Sequence, residues 1–168
     1  GFFRMVEVVK RVAEQRPETC FVLNVVTNSA PVDFEGFPDN LSLEYIQWQP
    51  FEKFCDEIGK NDIFFDLRDS DFENTHCLPI KIFYYMAAGR PVIYSDLKAI
   101  RLGVPECDDF GFYVSEKDLA KICKIVLRYI EDEELYRKHC EKGLILSEQK
   151  YNWEAIEERF LNFMRDVV

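Results

Sequence analysis

The sequence predicts an open, parallel α/β sheet with helices on both faces. Short apolar runs with little alternation, at 20–26 and 91–95, suit strands that are covered on both sides. Stretches with apolar residues at helical spacing separate such runs, and this alternation favours parallel strands joined by right-handed crossovers. The tightest succession lies between Asp71 and Ser95, where a polar loop, a short helix and a buried strand follow one another.

Taken in order, Phe2, Met5, Val6, Val9, Val12 and Ala13 trace a helical stripe that Pro17 closes. Residues 20–26 form a strand, followed by a polar loop marked by Pro and Gly through Asn40. A second strand covers 41–48, Pro50 opens a helix over 51–58, and 61–67 make a third strand. Pro79 marks the start of the next helix and Gly89 its end, with Ile80, Phe83 and Ala87 on one face and Lys81, Tyr84, Tyr85 and Ala88 on another. After the strand at 91–95 come a turn at 99–103, a strand at 110–114 and a helix over 117–131 with Ser115 and Asp118 as its capping pair. Helices over Glu133–Gln149 and Trp153–Val167 complete the chain, the latter capped by Asn152.

The 168 residues fit one domain, long enough to bury about 70% of its unfolded surface without a disulfide or metal staple. A formal net charge of −10 argues against sequence-independent binding of nucleic acid, which depends on neutralising phosphates with Lys and Arg. The six cysteines are widely spaced with no C-x-x-C pair, and the two histidines are far apart, so no metal-ligand pattern is present. Such cysteines read as small buried groups in a reducing cytoplasm. No run reaches the roughly 18 apolar residues of a membrane span. A Gly-rich phosphate loop is missing, which disfavours kinase and dehydrogenase readings, and no Ser/His/Asp or Cys/His arrangement is supported by spacing.

In open sheets of this kind ligands bind at the carboxyl ends of the strands, where 47–50, 68–78 and 95–98 share a rim. The polar loop 71–77 precedes a helix start, where unpaired N–H groups attract anions. Lys81 in the first turn opposes the helix dipole, and a nearby phosphate gives it a reason to be there; a solvated lysine is the plain alternative. Arg68, at a strand end beside the loop, is the better second cation. Arg90 directly after Gly89 suits solvent or the helix end, and Lys98 and Arg101 suit either the rim or an exposed face. His139 reads as a surface residue in a charged helix, and Trp153, Ile156, Phe160 and Met164 as a packing stripe.

The order of Asn61-Asp62-Ile63-Phe64-Phe65, a polar loop, the run from Leu78 through Lys81, Met86 and Gly89 to Ile93, the pair Ser95-Asp96, and Phe110-Gly111-Phe112-Tyr113-Val114 before paired helices is a familiar pattern. It resembles the C-terminal half of retaining glycosyltransferases with the GT-B architecture, a Rossmann-like sheet. Among these it is similar to the group 1 sugar transferases of bacterial surface polysaccharide synthesis, capsule included. Asp132-Glu133-Glu134-Leu135 and Tyr151-Asn152-Trp153-Glu154 fit the family's tail.

The resemblance implies that residues 1–168 hold a nucleotide diphosphate sugar, while an acceptor domain that is absent here holds a polysaccharide or lipid-linked acceptor. The base would pack against Gln47, Trp48 and Gln49, and the diphosphate would lie where the helix begins near Leu78 and Pro79. Arg68, Glu73, Thr75, Cys77 and Tyr84 would complete the donor site, with Lys81 and His76 in catalytic roles. No cofactor or metal is implied, since helix N–H groups and basic side chains neutralise the leaving diphosphate. The implied place is the cytoplasm, with possible peripheral association of the full enzyme at the inner face of the membrane.

Two departures qualify the resemblance. The family carries two glutamates eight residues apart, one for the donor sugar and one for the ribose; here those positions are His76 and Tyr84. The Tyr84 hydroxyl could keep one ribose contact, Tyr84 as a packing residue being the alternative, and Glu73 or Asp71 are the nearest carboxylates to stand in. The family also places a strand and a loop with basic residues just before the helix that begins here at Gly1, so this chain is expected to lack part of its own site and to be inactive alone. The competing expectation is a degenerate domain that serves as a scaffold or a nucleotide-sensing module without transfer.

Overall fold

The computed structural model describes residues 1–29, 32 and 34–167. Its elements run α1 (Phe2–Gln15), β1 (Phe21–Val26), β2 (Leu41–Ile46), α2 (Phe51–Gly59), β3 (Phe64–Asp66), α3 (Phe72–His76), α4 (Lys81–Ala87), β4 (Val92–Ser95), α5 (Lys98–Gly103), α6 (Cys107–Phe110), β5 (Gly111–Val114), α7 (Leu119–Glu131), α8 (Glu133–Gln149) and α9 (Trp153–Val167). All strand pairings among the described residues are parallel, and helices cover both faces, as the alternation in the sequence requires. Ile93 of β4 faces a core shared by α1 and α7, with Val8, Val12, Ile122 and Val126. Its neighbours Val92 and Tyr94 point the other way, into a core with Ile82, Met86, Ile100 and Phe110. The two-residue period of the strand thus fills both layers with apolar groups.

The sheet is in two parts. β1 pairs with β2 from Phe21↔Leu41 to Val26↔Ile46, and β3-β4-β5 form a separate ladder. Among the described residues the second edges of β1 and β3 carry no strand, and both line one cavity of about 1080 Å³. Met5, Val9, Val126 and Ile130 wall it on the α1/α7 side, and Phe54, Ile58, Tyr84 and Tyr85 on the other. One side-chain bond crosses from β1 to the residues before β3, Asn24 Nδ2 donating to Asn61 Oδ1 at 2.9 Å.

Several local expectations are corrected. The loop at 71–77 contains a helical turn, because the Asp71 carboxylate accepts the Asn74 N–H at 2.8 Å and the Asp71 carbonyl accepts the Thr75 hydroxyl at 2.6 Å. Pro79 stands two residues ahead of α4; its carbonyl accepts the Ile82 N–H, and the buried face is Ile82 and Met86, while Ile80 is exposed. Residues 107–110 form a turn of helix, so β5 begins at Gly111 and not at Phe110. The cap of α7 is Asp118, which accepts from Lys121 N, and the helix starts at Leu119 and not at Lys117.

Other corrections concern burial. His139 is 5% exposed and bonded to the Tyr129 hydroxyl at 2.8 Å, so it belongs to the core that its charged helix conceals in the sequence. Only Cys107 and Cys123 are buried; Cys20, Cys55 and Cys77 are exposed. The stripe of Trp153, Ile156, Phe160 and Met164 is exposed on this chain, with the Trp153 and Phe160 rings 5.6 Å apart. Asn152 does cap α9, accepting the Ala155 N–H at 2.7 Å.

Candidate functional site

Parallel strands place all their carboxyl ends on one edge, so the segments after β2, β3 and β4 rise together there. After β2, the backbone N–H of Trp48 donates to Asn28 Oδ1 at 3.1 Å, which fixes the turn and leaves the indole 68% exposed. Trp48, Gln49, Lys81 and Tyr84 line the large cavity together. Gln47 turns away into a smaller one of about 380 Å³ with Thr27, Asn28, Ser29 and Tyr45. Tyr84 packs edge-on against Phe51 and Phe54, with ring centroids 5.8 and 6.0 Å apart, and is half-buried among aromatics.

Lys81 opens α4 and is exposed, and no carboxylate among the described residues lies within ion-pairing distance of it. Its nearest buried anion is Asp66, the last residue of β3, 8% exposed. Burial pushes the Asp66 carboxyl up, and the charges of Arg68 and Lys81 pull it back. Asp66 was not singled out in the sequence; an acidic residue inside the apolar run Phe64-Phe65-Asp66-Leu67 was the available signal.

The segment after β3 is built around Arg68. Ser95, fully buried at the end of β4, donates its hydroxyl to the Arg68 carbonyl at 2.7 Å and accepts the Arg68 N–H at 2.8 Å. The guanidinium then reaches across the loop, with Nε 3.2 Å from Asp66 Oδ2 and Nη1 donating to Asn74 Oδ1 at 3.3 Å and to the Cys77 carbonyl at 3.4 Å. His76 lies against Phe72 with centroids 4.3 Å apart, and its Nδ1–H donates to the Phe72 carbonyl at 2.7 Å. Thr75 donates to Asp71, Glu73 is exposed with its carbonyl accepting the Cys77 N–H, and Leu78 packs against Gly103 of α5.

On either side of β4 the arginines are held by neighbours. Arg101 forms a two-pronged pair with Asp96, one contact at 2.9 Å, and its guanidinium lies 3.9 Å over the Tyr113 ring. Arg90 donates to the carbonyls of Asn61 and Gly59, tying the end of α2 to the start of β3. Neither faces the cavity as a free cation. No group of three His, Cys, Asp or Glu among the described residues is arranged to hold a metal ion, and no described helix is long and apolar enough to cross a membrane.

No protein-family model and no curated protein sequence matches the chain. Solved structures do. Sucrose-phosphate synthase from Thermosynechococcus elongatus superposes with a TM-score of 0.68 at 16% identity, over 93% of this chain and 48% of that one. HepE from Anabaena, solved in complex with UDP-glucose, gives a TM-score of 0.65 at 11% identity, over 92% of this chain and 52% of that one. At these identities the likeness is one of fold, and the chain spans about half the length of each neighbour.

Proposed function

We propose that this chain is the donor-binding half of a retaining glycosyltransferase, holding a nucleotide diphosphate sugar at the carboxyl edge of its strands. The observation that carries the reading is Lys81: an exposed cation without an ion-pair partner among the described residues, lining one cavity with Trp48, Gln49 and Tyr84. An aromatic face for a base and an uncommitted positive charge for a diphosphate are what a nucleotide diphosphate asks of a pocket. The fold shared with a protein solved with UDP-glucose supports it, as does the sequence pattern from Leu78 to Ser95.

In this reading Trp48 and Gln49 seat the base, and the Tyr84 hydroxyl offers a neutral contact where the family has a carboxylate. Lys81 stabilises charge on the departing diphosphate, an electrostatic task that needs no metal. His76 and the Glu73–Cys77 segment border the sugar. The acceptor, a polysaccharide or lipid-linked chain, would be held by a second half of the enzyme, and transfer would need both halves.

Calorimetric titration of the chain with UDP, GDP and ADP tests the reading. Selective binding of one nucleotide, weakened about 10- to 100-fold in Lys81→Ala, is the expected result, since a hydrogen bond to a charged group is worth about 1.5–3 kcal/mol. Binding that is indifferent to Lys81, or none at millimolar nucleotide, overturns it.

A further inference from the structure

Arg68 is expected from the sequence to face a phosphate, and most of its guanidinium is enclosed by its own strand ends and loop. Two of its three guanidinium nitrogens, Nε and Nη2, are shut off from solvent and have no hydrogen-bond partner among the described residues, Nε having only the charge of Asp66 beside it. The third, Nη1, is committed to Asn74 Oδ1 and the Cys77 carbonyl. The backbone of the same residue is gripped on both its N–H and its C=O by the buried Ser95 hydroxyl, and Asp66 Oδ2 faces Nε at 3.2 Å. At the far end Asn74 is itself fixed, its N–H and its amide both donating to the Asp71 carboxylate at 2.8 and 2.9 Å. A rigid fork anchored at two strand ends therefore spans the mouth of the 68–78 segment and binds its far side.

We propose that Arg68 is a positioning residue, fastening the Asn74–Cys77 stretch to the ends of β3 and β4 so that the segment leading to Lys81 keeps one shape, with Asp66 and Ser95 as its grips. The functional part of this inference rests on the donor-site reading above; the fastening does not. A planar fork is needed because the two acceptors on the loop and the carboxylate behind it lie in different directions, which the point charge of a lysine cannot serve at once. Asp66 acts through Arg68: without the carboxylate the guanidinium loses the charge that holds it against the strand.

The test compares the wild-type chain with Arg68→Gln, Arg68→Lys, Asp66→Asn and Asn74→Ala in two measurements. Amide hydrogen exchange without nucleotide reads the fastening: exchange at Thr75 and Cys77 should rise at least tenfold in every variant, Arg68→Lys included, while exchange in β4 stays slow. Asn74→Ala keeps every charge and the whole of Arg68 but also removes the amide's bond to Asp71, so it is read beside Arg68→Lys, which leaves Asn74 untouched. The second measurement is UDP affinity across ionic strength. Asp66→Asn should weaken binding about as much as Arg68→Gln although it removes a negative charge, and the salt dependence should be the same in Arg68→Gln as in wild type.

A shallower salt dependence in Arg68→Gln that is restored in Arg68→Lys, with exchange at Thr75 and Cys77 unchanged, would make Arg68 a direct phosphate ligand and overturn the proposal. So would unchanged exchange in Asn74→Ala and Arg68→Lys together. Failure of UDP to bind the wild-type chain would instead remove the donor-site reading, and the exchange measurement would still decide whether Arg68 fastens the segment.

Discussion

Acidification from pH 7 to pH 5 should cost the fold about 2 kcal/mol through His139 alone. The imidazole is 5% exposed, accepts or donates one hydrogen bond with the Tyr129 hydroxyl at 2.8 Å, and lies against the Phe112 ring. Burial, with the charges of Lys138 and Arg128 adding to it and Asp109 opposing, lowers its pKa from 6.5 to about 4. The folded pKa is thus the lower one: the folded state holds the ring neutral where the unfolded chain would protonate it. The contribution is complete above the unfolded value of 6.5, is lost progressively as pH falls toward 4, and flattens below. With about 1.36 kcal/mol per unit, the whole effect is about 3 kcal/mol, of which about 2 falls between pH 7 and 5. Urea unfolding at half-unit steps, for wild type and His139→Gln, measures it as the difference between two curves, which removes the carboxylates common to both. Parallel curves over this window would refute the reasoning.

Other substitutions probe features that bear on the site or the core. Tyr94→Phe deletes a buried hydroxyl that donates to the Cys107 carbonyl at 2.7 Å and leaves that carbonyl unpaired, so chemical denaturation should show a loss of about 1–3 kcal/mol. Gly89 has φ +62°, and an added Cβ would come within 2.8 Å of Leu144; Gly89→Ala should destabilise by about 1–2 kcal/mol from the backbone alone, read as a lower thermal midpoint. Asn152→Ala removes the cap of α9 and should cost about 1 kcal/mol, visible as reduced helical signal on heating. In nucleotide titrations Tyr84→Phe should weaken UDP binding by less than about tenfold, the worth of one neutral hydrogen bond; unchanged affinity would leave Tyr84 a packing residue against Phe51 and Phe54.

The sequence showed the fold where one signal dominates. The stripe of α1 and the uninterrupted apolar run of β4 each admit a single reading, and both stand in the structure within a residue or so. It hid what depends on two distant segments meeting. The period of α8 is weakened by its charges, and only the packing of α7 against it shows that His139 belongs inside, beside Tyr129. The turn of α3 rests on one aspartate bonding three residues ahead, a local signal that the polarity of the loop masks. In the site, the cavity residues Trp48, Gln49, Lys81 and Tyr84 were named from the sequence. The grip of Ser95 on Arg68 was not, because it depends on β3 and β4 ending side by side, with the partners 27 positions apart in the chain.

The division of the sheet bears on how the molecule holds together. Among the described residues no ladder bond ties β1 and β2 to the other three strands, so coupling between the two parts passes through side chains, those of α1 among them. Val6, Val9 and Ala13 on this helix pack with Leu23 and Leu41 of the first pair, while Val8 and Val12 pack with Ile93, Val114 and Ile122 of the rest. Beyond it the described links are slighter, among them the Asn24–Asn61 bond and the Phe65 ring that reaches the first pair's core. A helix with two apolar faces therefore joins the two parts, and separating the first pair would break no described strand-to-strand bond of the part that carries Arg68 and Lys81.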